Sequence, residues 1–285
     1  MSQTDLSWSV PVMRTGYAGR GLVYLAVAGL SLWAIWRGGQ ARGTGSALRQ
    51  LETGWGGTTV LVVIAQGLLA YMVWRLVDAL WDLEAQGHDG EGVVARLGMV
   101  VTGVIHGALG IGAIVIAFGA SGTSGGGSSV AEGTAAVMAQ PFGRWLVGLA
   151  GLATIGAGIY YMRKAWKEDY RNSLRANPAT LRLNPVLKAG VAAQGVVVTI
   201  VGGFLVTAAL QADASEAGGL DQTFGWLYGQ PYGQVLVVLL CLGLLGFSFF
   251  CFVNAAYRVI PRVAGDDVET LGRKLRDKAQ EATST

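Results

Sequence analysis

Six long apolar stretches, joined by shorter polar segments, make up most of the chain. They cover residues 17–36, 58–81, 97–119, 145–166, 189–210 and 232–257. The hydrocarbon core of a bilayer is about 30 Å thick and needs about 20 helical residues to cross it. Only 14% of the residues are charged, where a soluble domain usually has about 25%. The pattern therefore predicts an all-α integral membrane protein with six transmembrane helices.

Lysine and arginine residues are distributed unevenly between the segments that join these stretches. Of 21 such residues, 17 lie on the side that holds both termini. The side with more positive charge is normally cytoplasmic. We therefore expect a multi-pass protein of the bacterial cytoplasmic (inner) membrane with both termini in the cytoplasm. The net charge of +3 is too small and too scattered to indicate a nucleic-acid partner.

The six helices form three copies of one two-helix hairpin. In the first helix of each copy a basic residue and two glycines recur, and in the second helix a glycine is followed four residues later by an aromatic residue. In the first helix the aligned sets are Arg14, Arg96 and Lys188; Gly16, Gly98 and Gly190; and Gly21, Gly103 and Gly195. In the second helix they are Gly67, Gly156 and Gly246; and Tyr71, Tyr160 and Phe250. Each copy crosses the membrane twice, so the hairpins share one orientation. We expect them to be related by a pseudo-threefold axis along the membrane normal.

The hairpins divide the chain into five parts. The repeats cover 14–82, 96–166 and 188–258, between a cytoplasmic segment 1–13 and a cytoplasmic tail 259–285. The tail has apolar residues at helical spacing, which indicates either an amphipathic surface helix or a solvated tail. Residues 119–129 are rich in Gly and Ser and are expected to form a flexible linker on the other side.

Three sequence motifs resemble those of a known bacterial membrane family. They are the run from Arg14 to Tyr24, the Gln140-Pro-Phe-Gly-Arg-Trp-Leu segment, and the run from Gly67 to Arg75. The chain is similar in these motifs to the family catalogued as domain of unknown function 1206, whose members carry three two-helix repeats. The resemblance extends from about Arg14 to Arg258. It implies this topology and transfers no activity.

Polar residues recur on one stripe of the first helix in each hairpin, because residues four apart share a helix face. Arg20, Thr102 and Gln194 occupy equivalent positions, and Tyr24 and His106 lie one turn deeper. If the stripes face the axis, these residues form a polar ligand-binding site in which Arg20 holds a phosphate or carboxylate. In the alternative, Arg20 reaches the membrane surface and the others bond neighbouring helices.

The sequence contains no recognisable catalytic, metal-binding or nucleotide-binding motif. A haem site at His106 would need a second ligand, and His88 lies in a connecting loop. We therefore expect a protein that is not an enzyme and has no cofactor. Two functions remain: binding or moving a small solute or lipid at the axis, or acting as an accessory or scaffold subunit of a larger membrane complex. Expected partners are membrane lipids and such a complex.

Overall fold

The computed structural model describes residues 6–52, 56–119, 126–261 and 263. Six of its helices are long and apolar enough to cross a membrane, which confirms the predicted spans. They are α1 (Ser9–Trp36), α3 (Gly57–Trp81), α4 (Gly90–Ala117), α6 (Gly143–Lys167), α7 (Pro178–Gln211) and α9 (Gly233–Tyr257). The amphipathic helix considered for the tail lies outside the described residues.

Three of the long helices, α1, α4 and α7, begin well before their apolar stretches, and the first turns of α4 and α7 are capped by side chains. The side chain of Asp89 accepts a hydrogen bond from the backbone of Gly92 at the start of α4. Asn177 and Thr180 form a reciprocal capping box at the start of α7, which has Pro178 in its first turn. Such caps satisfy backbone N–H groups that have no partner within the helix. Polar residues can therefore extend these helices beyond the apolar span.

Each hairpin also contains a short helix that was not predicted. These are α2 (Thr44–Glu52), α5 (Gly126–Met138) and α8 (Leu220–Tyr228). They lie at the membrane face opposite the one where α1 begins and α9 ends, and they contact one another pairwise. The linker predicted for residues 119–129 is therefore wrong from residue 126 onwards, since α5 begins there.

The turn that leads into the second long helix of each hairpin has one conformation in all three copies. Gly56, Phe142 and Tyr232 have φ angles of 74°, 61° and 59°. The glycine that follows each of them lies against backbone carbonyls of the preceding short helix, where a Cβ would not fit. Left-handed backbone is costly for residues other than glycine. Packing against the short helix therefore holds Phe142 and Tyr232 in this conformation.

The long helices form a ring that is open at one point. Along the ring, α4 packs on α3, α3 on α1, α1 on α9, α9 on α7, and α7 on α6. The two ends of this series, α4 and α6, belong to the second hairpin and form no comparable interface. The pseudo-threefold axis stays a prediction, and the second hairpin departs from the other two.

Glycines allow the close approach of helices from successive hairpins. A Cβ added to Gly21 would lie 2.9 Å from the Phe252 ring, and one added to Gly195 would lie 3.0 Å from the Met162 nitrogen. Gly103 faces Arg75 in the same way. These three aligned glycines are therefore helix-contact positions.

Candidate functional site

Arg20 lies in the interior of the helix ring and is only 4% exposed. Its guanidinium carbon is 5.2 Å from the centre of the Tyr71 ring, 4.9 Å from that of Phe247 and 5.7 Å from that of Tyr24. The Nη1 atom donates a hydrogen bond of 2.9 Å to the Tyr71 hydroxyl. The Arg20 side chain thus points into the helix bundle, which favours the interior site over the alternative in which it extends to the membrane surface.

The charge of Arg20 has no acidic counterpart among the described residues. No ion pair involves this guanidinium in that part of the chain, and the buried Nε atom has no hydrogen-bond partner there. Aromatic faces attract a cation by about 0.5–2 kcal/mol each. They offset only part of the several kcal/mol that burying an ion costs. The aromatic residues therefore leave the site electrostatically incomplete.

Two more of the predicted site residues lie next to Arg20. The His106 ring is 4.8 Å from the Tyr71 ring, and its Nδ1 atom is 2.7 Å from the Thr102 carbonyl oxygen. The Tyr24 ring packs edge-on against Phe247. Both residues are close enough to interact electrostatically with the guanidinium. The part of the prediction that grouped Arg20, Tyr24 and His106 agrees with this geometry.

The remaining two predicted residues do not join a hydrogen-bonded cluster with Arg20. The Thr102 hydroxyl donates to the Gly98 carbonyl of its own helix, at 2.6 Å. Gln194 is buried, and its Oε1 atom has no partner among the described residues. A threonine in a helix often bonds to the carbonyl four residues earlier. The equivalent position in the repeat therefore did not predict an equivalent contact.

Three residues of the site were not selected from the sequence. They are Tyr71 on α3, Phe247 on α9 and Tyr161 on α6, and the last of these is also in electrostatic reach of Arg20. Tyr71 was already marked by the repeat, because an aromatic residue recurs four positions after the aligned glycine. The other two carried no such signal.

A second polar cluster lies at the face where α1 begins and α9 ends. Arg258 pairs with Glu84 through an Nε–Oε1 distance of 2.8 Å and also donates to Asn254. Burial alone would raise the pKa of Glu84, but the charges of Arg258 and Arg75 lower it below the ordinary glutamate value. The same carboxylate helps to raise the pKa of Arg258.

Two further buried carboxylates lie at the connection between α3 and α4. Asp78 is fully buried and accepts a hydrogen bond from the backbone N–H of Glu84 at 3.0 Å. Asp82 accepts from the backbone N–H groups of Gln86 and Gly87. These carboxylates fix the connection between α3 and α4. Among the described residues, no group of three or more His, Cys, Asp or Glu side chains is placed to hold a metal ion.

The opposite face contains an open pocket of about 400 Å³ between the end of α1 and the short helices α2 and α8. Its wall includes Gln40, Arg42, Ser46 and Asp221. The Asp221 carboxylate accepts hydrogen bonds from the backbone of Gly43 and the hydroxyl of Ser46, at 2.7 and 3.0 Å. This acid therefore joins α2 to α8, and the pocket is separate from the Arg20 site.

The fold defines a multi-pass membrane protein built from three repeated helical hairpins, with a buried arginine that forms no ion pair among the described residues. The chain belongs to the family described as Domain of Unknown Function (DUF1206), whose profile matches residues 15–82, 97–168 and 189–258. The three matches confirm the predicted repeats. The chain is also 26% identical over 262 residues to a Bacillus subtilis (strain 168) protein named "Uncharacterized protein YxxB". This similarity covers 90% of this chain and 94% of the relative. No solved structure matches the chain.

Proposed function

We propose that this membrane protein binds an anionic group, a phosphate or a carboxylate of a small solute or lipid, at Arg20. The observation that carries the proposal is the buried guanidinium without an acidic partner among the described residues. Ionisable residues within transmembrane segments are expensive and usually functional. A bound anion would supply the missing charge and accept from the free Nε–H group.

The surroundings of Arg20 favour an anion over a neutral ligand. Arg75, Lys164 and Arg258 lie between this site and the face with the termini, while Asp78 and Glu84 are the acids that interact with them. Cations therefore outnumber carboxylates in this group. A planar guanidinium also matches the geometry of phosphate and carboxylate oxygens better than an ammonium group does.

The membrane orientation is part of the proposal. The side with 17 of the 21 lysine and arginine residues is taken as cytoplasmic, in a bacterial cytoplasmic membrane. Arg20 then lies closer to the cytoplasmic ends of the helices than to their outer ends, and the anion reaches it from the cytoplasmic half of the bilayer. In this proposal the protein binds its ligand without transforming it.

Native mass spectrometry of the gently purified protein tests the proposal. Wild-type protein is expected to retain a phosphate- or carboxylate-bearing molecule, and Arg20→Gln to lose it at least tenfold. A hydrogen bond to a charged group contributes about 1.5–3 kcal/mol, which corresponds to roughly tenfold or more in affinity. Arg37→Gln is the matched control, because Arg37 is exposed and stacks on Trp33 at the opposite face. Equal retention in Arg20→Gln and wild type would show the proposal to be wrong.

A role as an accessory or scaffold subunit is the second candidate. It is favoured by the unpaired sides of α4 and α6, since a transmembrane helix of another protein could pack against them. Co-purification of a membrane protein in a fixed ratio, lost when these sides are substituted, would support this role. A protein that remains alone and keeps an anionic ligand would favour the first candidate.

A further inference from the structure

The opening between α4 and α6 occurs where the other two hairpins are closed by glycine contacts. In the first hairpin a Cβ added to Gly16 would lie 2.6 Å from the Tyr71 Cα atom. In the third hairpin Gly190 and Gly246 lie against each other's backbone. The equivalent glycines of the second hairpin, Gly98 and Gly156, have no neighbour within 4 Å of an added Cβ. The second hairpin therefore keeps small residues on two helix sides that do not meet.

The second hairpin also differs from the other two in the exposure of the aromatic residue that lies four positions after the aligned glycine of its second helix. Tyr71 and Phe250 are 1% and 7% exposed, whereas the equivalent Tyr160 on α6 is 60% exposed. Val101 on α4 stands where the first hairpin has Gly19, whose Cα lies against Gly67. The Val101 side chain is 58% exposed, so it lies largely outside the helix packing. A branched side chain at this position does not allow the close backbone contact that Gly19 makes.

Arg20 lies behind this opening. His106 on α4 and Tyr161 on α6, one from each side of the opening, both interact with its guanidinium. The buried Nε atom of Arg20 and the buried Oε1 atom of Gln194 have no hydrogen-bond partner among the described residues. Two polar groups within the ring thus remain available to a ligand.

The depth of the site fits an amphiphile. Tyr71, which bonds Arg20, lies ten residues before α3 ends at Trp81. Tyr161 lies six residues before α6 ends at Lys167. At about 1.5 Å per residue these positions are about 15 and 9 Å from the helix ends. A headgroup at Arg20 would thus lie within one leaflet, and its hydrocarbon chain would extend along the exposed apolar sides of α4 and α6.

We propose that the opening between α4 and α6 admits an anionic amphiphile from the bilayer, with its phosphate or carboxylate at Arg20 and its hydrocarbon chain between the two helices. This inference rests on the proposed anion site and names the class of its ligand. A soluble anion would need no lateral opening in the hydrocarbon region. The Arg20 guanidinium, which has no acidic partner among the described residues, provides the complementary charge, and the apolar sides of the opening provide the surface for the chain.

The test measures ligand retention by native mass spectrometry from phosphatidylcholine nanodiscs. The probes are phosphatidate in the bilayer, and glycerol phosphate and inorganic phosphate in solution. Wild-type protein is expected to retain phosphatidate at least tenfold more than either soluble probe. A Gly98→Leu and Gly156→Leu double variant is expected to lose phosphatidate at least tenfold, because the leucines fill the opening. Both sites are free of neighbours, so the fold accommodates the larger side chains.

The matched control is Gly29→Leu with Gly203→Leu. These glycines also have no neighbour within 4 Å, and they lie on other transmembrane helices, α1 and α7. The control variant is expected to retain phosphatidate as the wild type does. Equal loss in the control and the test variant would overturn the inference, since the effect would then not belong to the opening.

The remaining outcomes separate this inference from the proposed function. If Arg20→Gln loses phosphatidate while Gly98→Leu with Gly156→Leu keeps it, the lateral route is wrong and the anion site stands. If wild-type protein retains glycerol phosphate to the same extent as phosphatidate, the site selects the phosphate group alone and the amphiphile inference is wrong. If Arg20→Gln keeps every probe, both proposals fail. A transmembrane helix bound in the opening, seen as a second chain in the mass spectrum of the wild type, would also overturn the inference.

Discussion

Arg20 and Tyr71, on neighbouring helices of the first hairpin, are joined by a buried hydrogen bond of 2.9 Å. Tyr71 supplies a neutral hydroxyl and an aromatic face, and neither neutralises the guanidinium. Removing a buried charge that lacks a counter-ion often leaves stability unchanged or raises it. The free energy of folding and the ligand affinity are thus expected to respond in opposite directions to changes at this position.

Arg20→Gln is expected to unfold at the same or a higher temperature than wild type when both are measured without ligand in detergent. The substitution removes the several kcal/mol that burying the guanidinium charge costs, and it keeps a polar group near Tyr71. Thermal unfolding followed by tryptophan fluorescence provides the measurement. A marked fall in unfolding temperature would show that the contacts of Arg20 with Tyr71 and Phe247 stabilise the fold, and would contradict this prediction.

Glu84→Gln is expected to destabilise the protein, by about 3–5 kcal/mol, because it breaks a buried ion pair and leaves Arg258 without its partner. The folded-state pKa of Glu84 is lowered, so its stabilising contribution is present above the unfolded value of about 4.3 and is lost as the pH falls through the folded value. The unfolding temperature of wild type should therefore fall in acid below about pH 4.3, and Glu84→Gln should lack that component. Identical acid profiles in the two proteins would contradict this assignment.

Gly19→Leu is expected to disrupt the first hairpin, since an added Cβ would overlap the backbone of Gly67. Overpacking of this kind costs typically about 1–3 kcal/mol, and more when backbone must move. Gly98→Leu, in the open second hairpin, should leave the unfolding temperature close to that of wild type. Both variants carry the same substitution and are measured in the same detergent. An equal fall in unfolding temperature for the two variants would contradict the prediction and indicate that α4 and α6 are in contact.

Fusions of a reporter that is active only outside the cytoplasm test the orientation. A fusion after Thr285 should be inactive and a fusion within residues 121–129 active, because 17 of the 21 lysine and arginine residues lie on the side of the termini. The two fusions control for each other's expression. Activity at Thr285 would reverse the orientation and place the Arg20 site in the outer half of the membrane.

The long helices were predictable because lipid imposes a minimum length and an apolar composition on any segment that crosses it. The short helices were not predicted, because they do not cross the membrane and lipid places no such requirement on their length or composition. Helix α2 has nine residues and α5 begins within a Gly- and Ser-rich run, so neither has an extended apolar pattern. Contacts among these helices, including the Asp221 bonds to Gly43 and Ser46, stabilise them in the folded chain.

The candidate site was partly predictable from the repeat. Helical spacing placed Arg20 and Tyr24 on one stripe of α1, and the repeat placed His106 at the position of α4 that is equivalent to Tyr24. Neither signal identified Phe247 or Tyr161, which approach Arg20 from other hairpins only after the helices have assembled. Thr102 was included by equivalence of position, yet its hydroxyl bonds within its own helix. A repeat thus predicts backbone placement more reliably than side-chain contacts.

The separation of α4 from α6 also affects how the chain divides into parts. Helix α4 packs on α3 and helix α6 on α7, so each half of the second hairpin depends on a different neighbour. The unit that recurs in the sequence is therefore not an autonomous unit of folding at residues 96–166. We therefore expect α4 and α6, although consecutive membrane-spanning segments of the chain, to be stabilised by different neighbours, α3 and α7. An excised middle repeat should fail to form a stable pair, and an insertion that separates α4 from α6 in the chain should be tolerated better than one that separates α6 from α7.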